Sequence, residues 1–368
     1  MKGNPEACVS ILLPAYNAGA TLAETLQFAL ASSFFDFEIV IVDDGSTDGT
    51  FAIAEQFAAN DKRVRFIRTN HRGVSAALNL GLAQVRGEFV ARLDADDLWH
   101  PTKLEKQVAL MSSSPALALV FTNVRYVDGA GRIVRDVAPQ DLAGRALCQC
   151  LYHGIVGGGS SVLYRRSLLE SVQSYDERLS AWEDLLFHLR LASAGAIGSV
   201  PEYLTAYRLR DTSSSADRTK SLRNWRLASR IVETEFPQIP KRVHSWSNAR
   251  RLLELAEAFA FDRRYARCAM LLVESLAADP VRTSTFLAYR MRRRLSGQRQ
   301  PLRRGGPLFA DADVKTTYCL SRFDAEHEGY YLHALDQKRR HALCSIDATL
   351  PLPPTSVEGM TRPAVAGS

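Results

Sequence analysis

Residues Glu88 to Asp97 read EFVARLDADD, and this stretch decides the fold. The run from Phe89 to Leu93 is short and apolar, which predicts a buried β-strand. The strand is followed at once by three carboxylates, Asp94, Asp96 and Asp97. Carboxylates this close repel one another unless a positive group joins them.

These three carboxylates have two interpretations. Carboxylate oxygens suit hard divalent cations, and Mg²⁺ or Mn²⁺ typically bridges one or two carboxylates to the phosphates of a substrate. The alternative is an acidic loop that caps a helix predicted to begin near Pro101, because Asp is favoured at that position. The acidic stretch alone does not separate the two interpretations.

Composition places the chain among soluble globular proteins. Its 368 residues are enough for one large domain or two ordinary ones. Of these residues 46% are hydrophobic and 23% are charged, and the net charge is +6. Of its six cysteines only Cys148 and Cys150 lie close together, and their C-x-C spacing fits neither a redox pair nor a zinc knuckle. We therefore expect reduced thiols in a cytoplasmic protein, with no signal peptide in MKGNPEACVSILLP and no spanning helix.

The first hundred residues alternate strand-like and helix-like segments, which predicts βα units and a mostly parallel sheet. The predicted strands are Val9 to Leu13, Phe37 to Val42, Val64 to Ile67 and Glu88 to Leu93. In such sheets ligands bind beyond the carboxyl ends of the strands. That rule gathers at one edge Pro14, Ala15, Tyr16, Asn17, Asp43, Asp44, Asp94, Asp96 and Asp97.

The later part of the chain changes character near Lys220. Before it, strands are predicted at Leu117 to Thr122, Val124 to Val127, Arg132 to Val134, Ser161 to Tyr164 and Tyr203 to Arg208, with helices at Pro101 to Met111 and Trp182 to Ala194. After it, long amphipathic helices are predicted at Leu222 to Phe236, Val243 to Phe261 and Arg264 to Ala278. We expect a domain at 1–219, a helical extension at 220–310, and an unassigned segment with a disordered Pro-rich tail at 311–368.

Several motifs, in their order and spacing, resemble the family 2 inverting glycosyltransferases, which have the GT-A fold. They are Pro14-Ala15-Tyr16-Asn17, Val42-Asp43-Asp44-Gly45-Ser46-Thr47-Asp48, Leu93-Asp94-Ala95-Asp96-Asp97 and Trp182-Glu183-Asp184. The resemblance covers Val9 to Arg208. It implies an α/β fold of GT-A type, with a mostly parallel, Rossmann-like sheet flanked by helices, followed here by an α-helical C-terminal region.

The resemblance also implies roles for the acidic residues. Asp43 would accept from the N–H of a uracil, Asp94 would face the ribose or the metal, and Asp96 would ligate Mn²⁺ or Mg²⁺. Asp184 would be the general base, with Glu183 and Trp182 on the acceptor side. Simpler interpretations stay open: either aspartate after the second strand caps the next helix, and the E-D pair stabilises a helix N-terminus.

Two departures from the family pattern concern the donor diphosphate. Many members have a His two positions after Arg208, where this chain has Arg210, whose guanidinium can grip phosphate oxygens. Arg-Asn is also commoner than the Leu78-Asn79 found here, and Arg72 could replace that charge. The expected donor site therefore contains Pro14, Ala15, Tyr16, Asn17, Asp43, Asp44, Arg72, Asn79, Asp94, Ala95, Arg208 and Arg210.

The resulting hypothesis is an inverting, metal-dependent glycosyltransferase. Its donor would be a nucleotide-diphosphate sugar, a UDP-sugar by expectation, and its acceptor a hydroxyl of a glycan or lipid-linked molecule. The setting would be polysaccharide or lipopolysaccharide synthesis, in the cytoplasm or at the inner face of the cell membrane. The main alternative is a catalytically idle member that binds partners through its helices. A nucleotidyltransferase would want a glycine-rich phosphate loop, and Pro14-Ala15-Tyr16-Asn17 is not one.

The stretch from Val281 to Ala310 is rich in arginine and has no acidic residue. It is either an ordinary solvated face or a segment attracted to an anionic membrane surface. Nucleic-acid binding would want a recognisable module, and the sequence shows none.

Overall fold

A computed structural model describes residues 8–137, 142, 144–155, 158–209, 217–296 and 330–350. Within these residues nine strands form one sheet. They are β1 (Val9–Ala15), β2 (Phe37–Asp43), β3 (Val64–Arg68), β4 (Phe89–Arg92), β5 (Leu98–Trp99), β6 (Leu117–Val127), β7 (Ile133–Val137), β8 (Val162–Arg165) and β9 (Ala196–Arg208).

The sheet is parallel where the chain begins and mixed beyond. Its order is β3-β2-β1-β4-β8-β6-β9-β5, with β7 added on β6. Strands β1 to β4 pair in parallel, and Ala15 lies opposite Asp43. Strand β8 runs antiparallel to β4 and β6, while β6 and β9 are parallel. The predicted α/β architecture is confirmed, and the carboxyl ends of β1, β2 and β4 share one edge as expected.

Helices cover both faces of the sheet and continue past it. The first six are α1 (Leu22–Leu30), α2 (Thr50–Asn60), α3 (Val74–Leu82), α4 (Lys103–Ser113), α5 (Leu147–His153) and α6 (Glu183–Ala194). The others are α7 (Arg218–Glu235), α8 (Lys241–Phe261), α9 (Tyr265–Ala278), α10 (Pro280–Ser296) and α11 (Tyr330–Thr349). None of the helices described is both long and apolar enough to cross a bilayer.

Alternation along the central strands divides the core into two layers. Ile11 and Leu13 of β1 pack on the side that holds α1, α2 and α4, whereas Leu12 packs on the other side, with α3 and α6. Strands β1, β2 and β4 are buried along their whole length. Burial on both faces explains why these strands are continuous apolar runs in the sequence.

The helical extension shares a core with the sheet. Trp225 of α7, Phe259 of α8 and Leu343 of α11 belong to the same buried cluster as Leu12. Helix α11, in the segment that the sequence left unassigned, also caps α5: the carboxylate of Asp347 accepts from the backbone N–H groups of residues 148 and 149 at 2.7 and 3.2 Å. The predicted tail from residue 351 lies outside the described residues.

Candidate active site

A cleft of about 1070 Å³ opens at the carboxyl edge of the parallel strands. Ten of the residues predicted from the sequence line it, namely Pro14, Ala15, Tyr16, Asp44, Asp94, Ala95, Asp96, Trp182, Glu183 and Asp184. Five others, Asn17, Asp43, Arg72, Asn79 and Arg208, lie outside its lining. Arg210 is outside the described residues.

The loop after β1 is tied to the loop after β2. Asn17, at φ 49°, accepts from the backbone N–H of Thr47 at 2.9 Å, and its own N–H donates to the Ser46 hydroxyl at 2.9 Å. The ring of Tyr16 stacks on His71 with centroids 4.0 Å apart. The cleft therefore has a flat aromatic surface at this end, of the kind on which a planar base can stack.

The two aspartates at the end of β2 hold loops in place. Asp43 is fully buried: Oδ1 accepts from the Ser46 N–H at 3.0 Å, and Oδ2, 3.5 Å from Arg68 Nε, has no hydrogen-bond partner among the described residues. Asp44 accepts from the N–H groups of Arg72 and Gly73 at 2.9 and 2.8 Å. Neither carboxylate bonds to α2, so neither caps the next helix; Asp44 instead orders the start of α3.

The acidic loop after β4 is held by two arginines. Asp94 accepts from Arg92 Nε at 2.7 Å and from Nη2 at 3.3 Å. The backbone carbonyl of Asp96 accepts from Arg208 Nε at 3.0 Å, and the carboxylate of Asp97 accepts from the Arg208 N–H at 3.0 Å. Burial, with Asp96 and Asp94 nearby, raises the pKa of Asp97 well above its usual range. Through its bond to the Arg208 N–H, Asp97 supports the acidic loop.

Three residues predicted to contact the donor have protein partners in this structure. The Arg208 guanidinium also donates to Glu24 at 2.7 Å, and it is almost fully buried. Arg72 donates to Glu177 at 3.0 Å. Asn79 exchanges two bonds of 2.9 Å with the backbone of Tyr175. These contacts join α3 to segment 175–177 and β9 to the acidic loop; the donor contacts themselves stay predictions.

Arg92 is the residue that sequence reasoning missed. Its Nη1 and Nη2 both donate to Glu183 Oε1 at 3.2 Å, while its other bonds go to Asp94. Burial opposes the charge, but Asp94 and Glu183 hold the pKa of Arg92 well above its usual range. Burial raises the pKa of Glu183 to about 7. The signal was present, because residues 92 and 94 follow the two-residue period of a strand and share a face.

A turn with two glycines makes room for the bridge that Arg92 forms between Asp94 and Glu183. A Cβ on Gly159 would lie 2.0 Å from Arg92 Cδ. Gly158 has φ +52°, and a Cβ there would lie 2.7 Å from Asp184 Oδ2. Because the two glycines have no side chain, the Arg92 side chain can pack against Gly159 and the Asp184 carboxylate against Gly158.

Asp184 lies in the first turn of α6, at the cleft. The preceding Trp182 has a left-handed backbone, φ 66°, and its indole N–H donates to the Ser221 carbonyl at 3.1 Å. Asp184 Oδ1 accepts from the Leu185 N–H at 2.7 Å. A carboxylate so placed can both stabilise the helix N-terminus and accept a proton from a ligand in the cleft.

The helices form the wall beyond Trp182. Arg250 and Arg251 of α8 both donate to Glu254, at 3.2 and 2.8 Å, and Arg251 Nη2 donates to the His153 carbonyl at 3.0 Å. Burial lowers the pKa of His153 to about 3 and that of His188, also in the cleft lining, to about 4. Both imidazoles are therefore neutral at pH 7.

The carboxylates of the acidic loop are of the kind that a hard divalent cation prefers. No group of three His, Cys, Asp or Glu side chains among the described residues is arranged to hold a metal by itself. Asp94 and Asp96 both line the cleft, however, and Mg²⁺ commonly takes one or two carboxylates and completes its shell with phosphate and water oxygens.

Comparison with known sequences points to one family. The family model described as "Glycosyl transferase family 2" matches residues 10–173. "Putative glycosyltransferase EpsE" of Bacillus subtilis (strain 168) is 33% identical over 220 residues, which are 57% of this chain and 75% of that protein. "UDP-Glc:alpha-D-GlcNAc-diphosphoundecaprenol beta-1,3-glucosyltransferase WfgD" of Escherichia coli is 28% identical over 239 residues, 63% of this chain and 89% of that protein. The chain spans only 19% to 64% of four other relatives that it matches.

Solved structures share the fold. S. aureus TarS 1-349 in complex with UDP-GlcNAc has a TM-score of 0.56 and 21% identity, over 78% of this chain and 86% of that chain. The mannosyltransferase PcManGT from Pyrobaculum calidifontis, in complex with GDP-Man and Mn²⁺, has a TM-score of 0.52 and 18% identity, over 93% of this chain and 86% of that chain. Both likenesses agree with the predicted GT-A architecture.

Proposed function

This chain belongs to glycosyl transferase family 2, and from that membership we propose that it moves a sugar, with inversion, from a nucleotide-diphosphate donor to a hydroxyl acceptor. One observation carries the proposal: the carboxylates of Asp94, Asp96 and Asp184 line the same cleft. Asp94 and Asp96 would hold a divalent metal beside the leaving diphosphate. Asp184 would accept the proton of the attacking hydroxyl.

The donor nucleotide would lie along the loops after β1 and β2. The stacked pair of Tyr16 and His71 offers a surface for the base. Asp43 lies outside the cleft lining, but its Oδ2 has no hydrogen-bond partner among the described residues, so a UDP-sugar whose uracil N–H reaches this atom remains our proposed donor. TarS was solved with UDP-GlcNAc and PcManGT with GDP-Man, so this fold accommodates nucleotide-sugars of both kinds.

Asp96, together with Asp94, would hold a divalent metal, Mn²⁺ or Mg²⁺. Bound there, the metal would neutralise charge on the diphosphate as it leaves. Arg208 fixes the Asp96 backbone, and Arg92 fixes the Asp94 carboxylate, so the loop is ordered before a ligand arrives. That PcManGT was solved with Mn²⁺ supports the proposal.

Asp184 would act as the general base. The acceptor oxygen attacks the anomeric carbon, its proton passes to Asp184, and the bond from that carbon to the diphosphate breaks with the electron pair going to the diphosphate. The neighbouring Glu183 is held by Arg92, which favours an orienting role over direct contact with the acceptor. Trp182 and Glu183 remain our proposed acceptor side of the cleft.

The proposed setting is synthesis of cell-surface polysaccharide or lipopolysaccharide, in the cytoplasm and with a glycan or lipid-linked acceptor. The name of the relative WfgD includes a diphosphoundecaprenol acceptor, which supports a lipid-linked acceptor here.

A donor screen tests the proposal. Wild type is incubated with UDP- and GDP-sugars, with Mn²⁺, with Mg²⁺ or with excess EDTA, and released nucleotide diphosphate is measured. We expect metal-dependent release with at least one donor, and loss of release in Asp96→Ala. Asp61→Ala, a loop aspartate paired with Arg63 outside the cleft lining, is the matched control and should keep wild-type release. Full turnover in EDTA removes the metal from the proposal, and no release with any donor favours the idle alternative.

A further inference from the structure

Large apolar side chains are exposed in one part of the molecule. Of the eleven that are exposed among the described residues, eight lie between residues 261 and 291. They are Phe261, Tyr265, Met270, Val273, Leu276, Val281, Leu287 and Met291. Single exposed apolar residues need no explanation, but a cluster of this kind marks an interaction surface. We refer to these eight residues as the apolar face.

The apolar face follows the helical period on α9, which packs against α10. On α9 the exposed positions Met270, Val273 and Leu276 are three residues apart, so they lie along one side. The opposite side is buried through Leu271 and Ser275. The Ser275 hydroxyl bonds to the Ala249 carbonyl at 3.1 Å and to Thr283 of α10 at 2.7 Å. These inner contacts hold α9 with its exposed apolar positions turned outward.

Arginines border the apolar face. A groove of about 350 Å³ between α7 and α9 is lined by Arg223, Arg226, Arg230 and Arg267. Arg226 is paired with Glu274, while the groove lining itself contains no acidic residue. On α10, Arg282 is buried and paired with Asp336, whereas Arg290 is half-exposed and paired with Glu257. We refer to the four residues between α7 and α9 as the arginine groove.

We propose that the apolar face docks on an anionic lipid surface, with the arginine groove taking lipid phosphates. Apolar side chains that enter the acyl boundary beside cationic side chains at headgroup level are the pattern of interfacial helices. A second copy of the chain is a poorer occupant, because a two-fold contact through this face would bring the arginines of both copies together. The proposal does not depend on the catalytic assignment.

Vesicle binding by the full chain tests the proposal. Co-sedimentation is measured with phosphatidylcholine vesicles and with vesicles containing 30% phosphatidylglycerol, at low and high salt. We expect binding to the anionic vesicles only, weakened by salt because exposed charges are screened. The variant Met270→Glu/Val273→Glu should lose it. Phe35→Glu, the same change at an exposed apolar residue elsewhere, should bind as wild type.

The arginine groove is tested separately. Each Lys or Arg near an anionic membrane surface raises the affinity for that membrane about fivefold. Arg223→Gln/Arg230→Gln should therefore weaken binding to the anionic vesicles by about 25-fold, whereas Arg132→Gln/Arg178→Gln, at exposed arginines elsewhere, should not. Melting curves establish that each variant is folded.

Three outcomes would overturn the proposal: no binding to either vesicle, equal binding by the apolar-face variant and wild type, or a doubled mass by light scattering that the apolar-face variant abolishes. The last would identify a second copy as the occupant. No donor is present, so these outcomes leave the transfer reaction untouched.

Discussion

The two sides of the cleft are built differently. The donor side consists of short loops after β1, β2 and β4, and its carboxylates are held by backbone N–H groups and by Arg92. The helical wall consists of side chains from α6 and α8 with the end of α5, and it buries two neutral histidines. The proposed division of labour follows this difference: in our proposal the strand ends bind the donor, and the helical wall acts on the acceptor.

The largest expected effect separates binding from chemistry. Asp184→Asn keeps the shape of the side chain but cannot accept the proton, so we expect transfer to fall by roughly 10²–10⁴-fold with near-normal donor affinity. Asp43→Asn should do the reverse, weakening nucleotide binding with a smaller effect on turnover at saturation. Calorimetric titration with nucleotide diphosphate and metal, beside single-turnover transfer, measures both. If Asp184→Asn loses nucleotide binding but transfers normally at saturation, the pair Glu183-Asp184 only stabilises the helix.

The second effect concerns the buried histidines of the wall. The pKa of His188 is about 4 in the fold and about 6.5 in an unfolded chain, so the unfolded state binds the extra proton between these values. The stability that neutral His188 contributes is complete above pH 6.5 and is lost as the pH falls to 4. Over this range the free energy of unfolding falls by about 3 kcal/mol. On acidification from pH 6.5 to pH 4, the free energy of unfolding of His188→Leu should therefore fall less than that of wild type. Urea unfolding at each pH measures this difference.

His341→Gln, at an exposed histidine of α11, is the control and should follow wild type. A His188→Leu variant with the wild-type acid dependence would show that other groups, such as His153, dominate the pH dependence of the wall.

The third and smallest effect concerns the bridge between the two sides. Arg92 bonds to Asp94 on the donor side and to Glu183 on the wall, so it orients both without needing to touch the substrate. Removing groups that orient ligands of a metal typically costs 10–100-fold in activity or metal affinity. We expect Arg92→Met to lower kcat/KM and Mn²⁺ affinity by that factor, with partial rescue in Arg92→Lys.

Gly159→Ala retains the Arg92 charge but places a Cβ where the side chain passes, so the same losses should appear in weaker form. Unchanged Mn²⁺ affinity in both Arg92 variants would mean that the bridge only stabilises the fold.

The donor side was predictable because strand ends place short loops by topology alone. Once β1, β2 and β4 were inferred from their apolar runs, the positions of Tyr16, Asp44 and Asp94 followed. The same logic does not fix the direction of the Arg208 side chain, since a residue inside a strand can point toward a loop backbone as readily as toward a ligand. Its bonds to the carbonyl of Asp96 and to Glu24 depend on tertiary packing.

The wall was less predictable, because its side chains come from distant parts of the sequence. Helix periodicity gave α7, α8 and α9, yet not that Arg250 and Arg251 would face the cleft. Helices α5 and α11 were missed, and they depend on each other, since Asp347 of α11 caps the start of α5. Exposure of the apolar face is likewise a tertiary property, because a sequence pattern shows an apolar stripe but not what covers it.

The stereochemistry of the product tests the central claim most directly. A single displacement, with Asp184 as base on the face opposite the diphosphate, must invert the anomeric carbon. With an α-linked nucleotide-sugar found in the donor screen, nuclear magnetic resonance of the transferred product should show a β-linkage. An α-linkage, that is, retention, would contradict the account, because it requires two displacements or attack from the side of the leaving group.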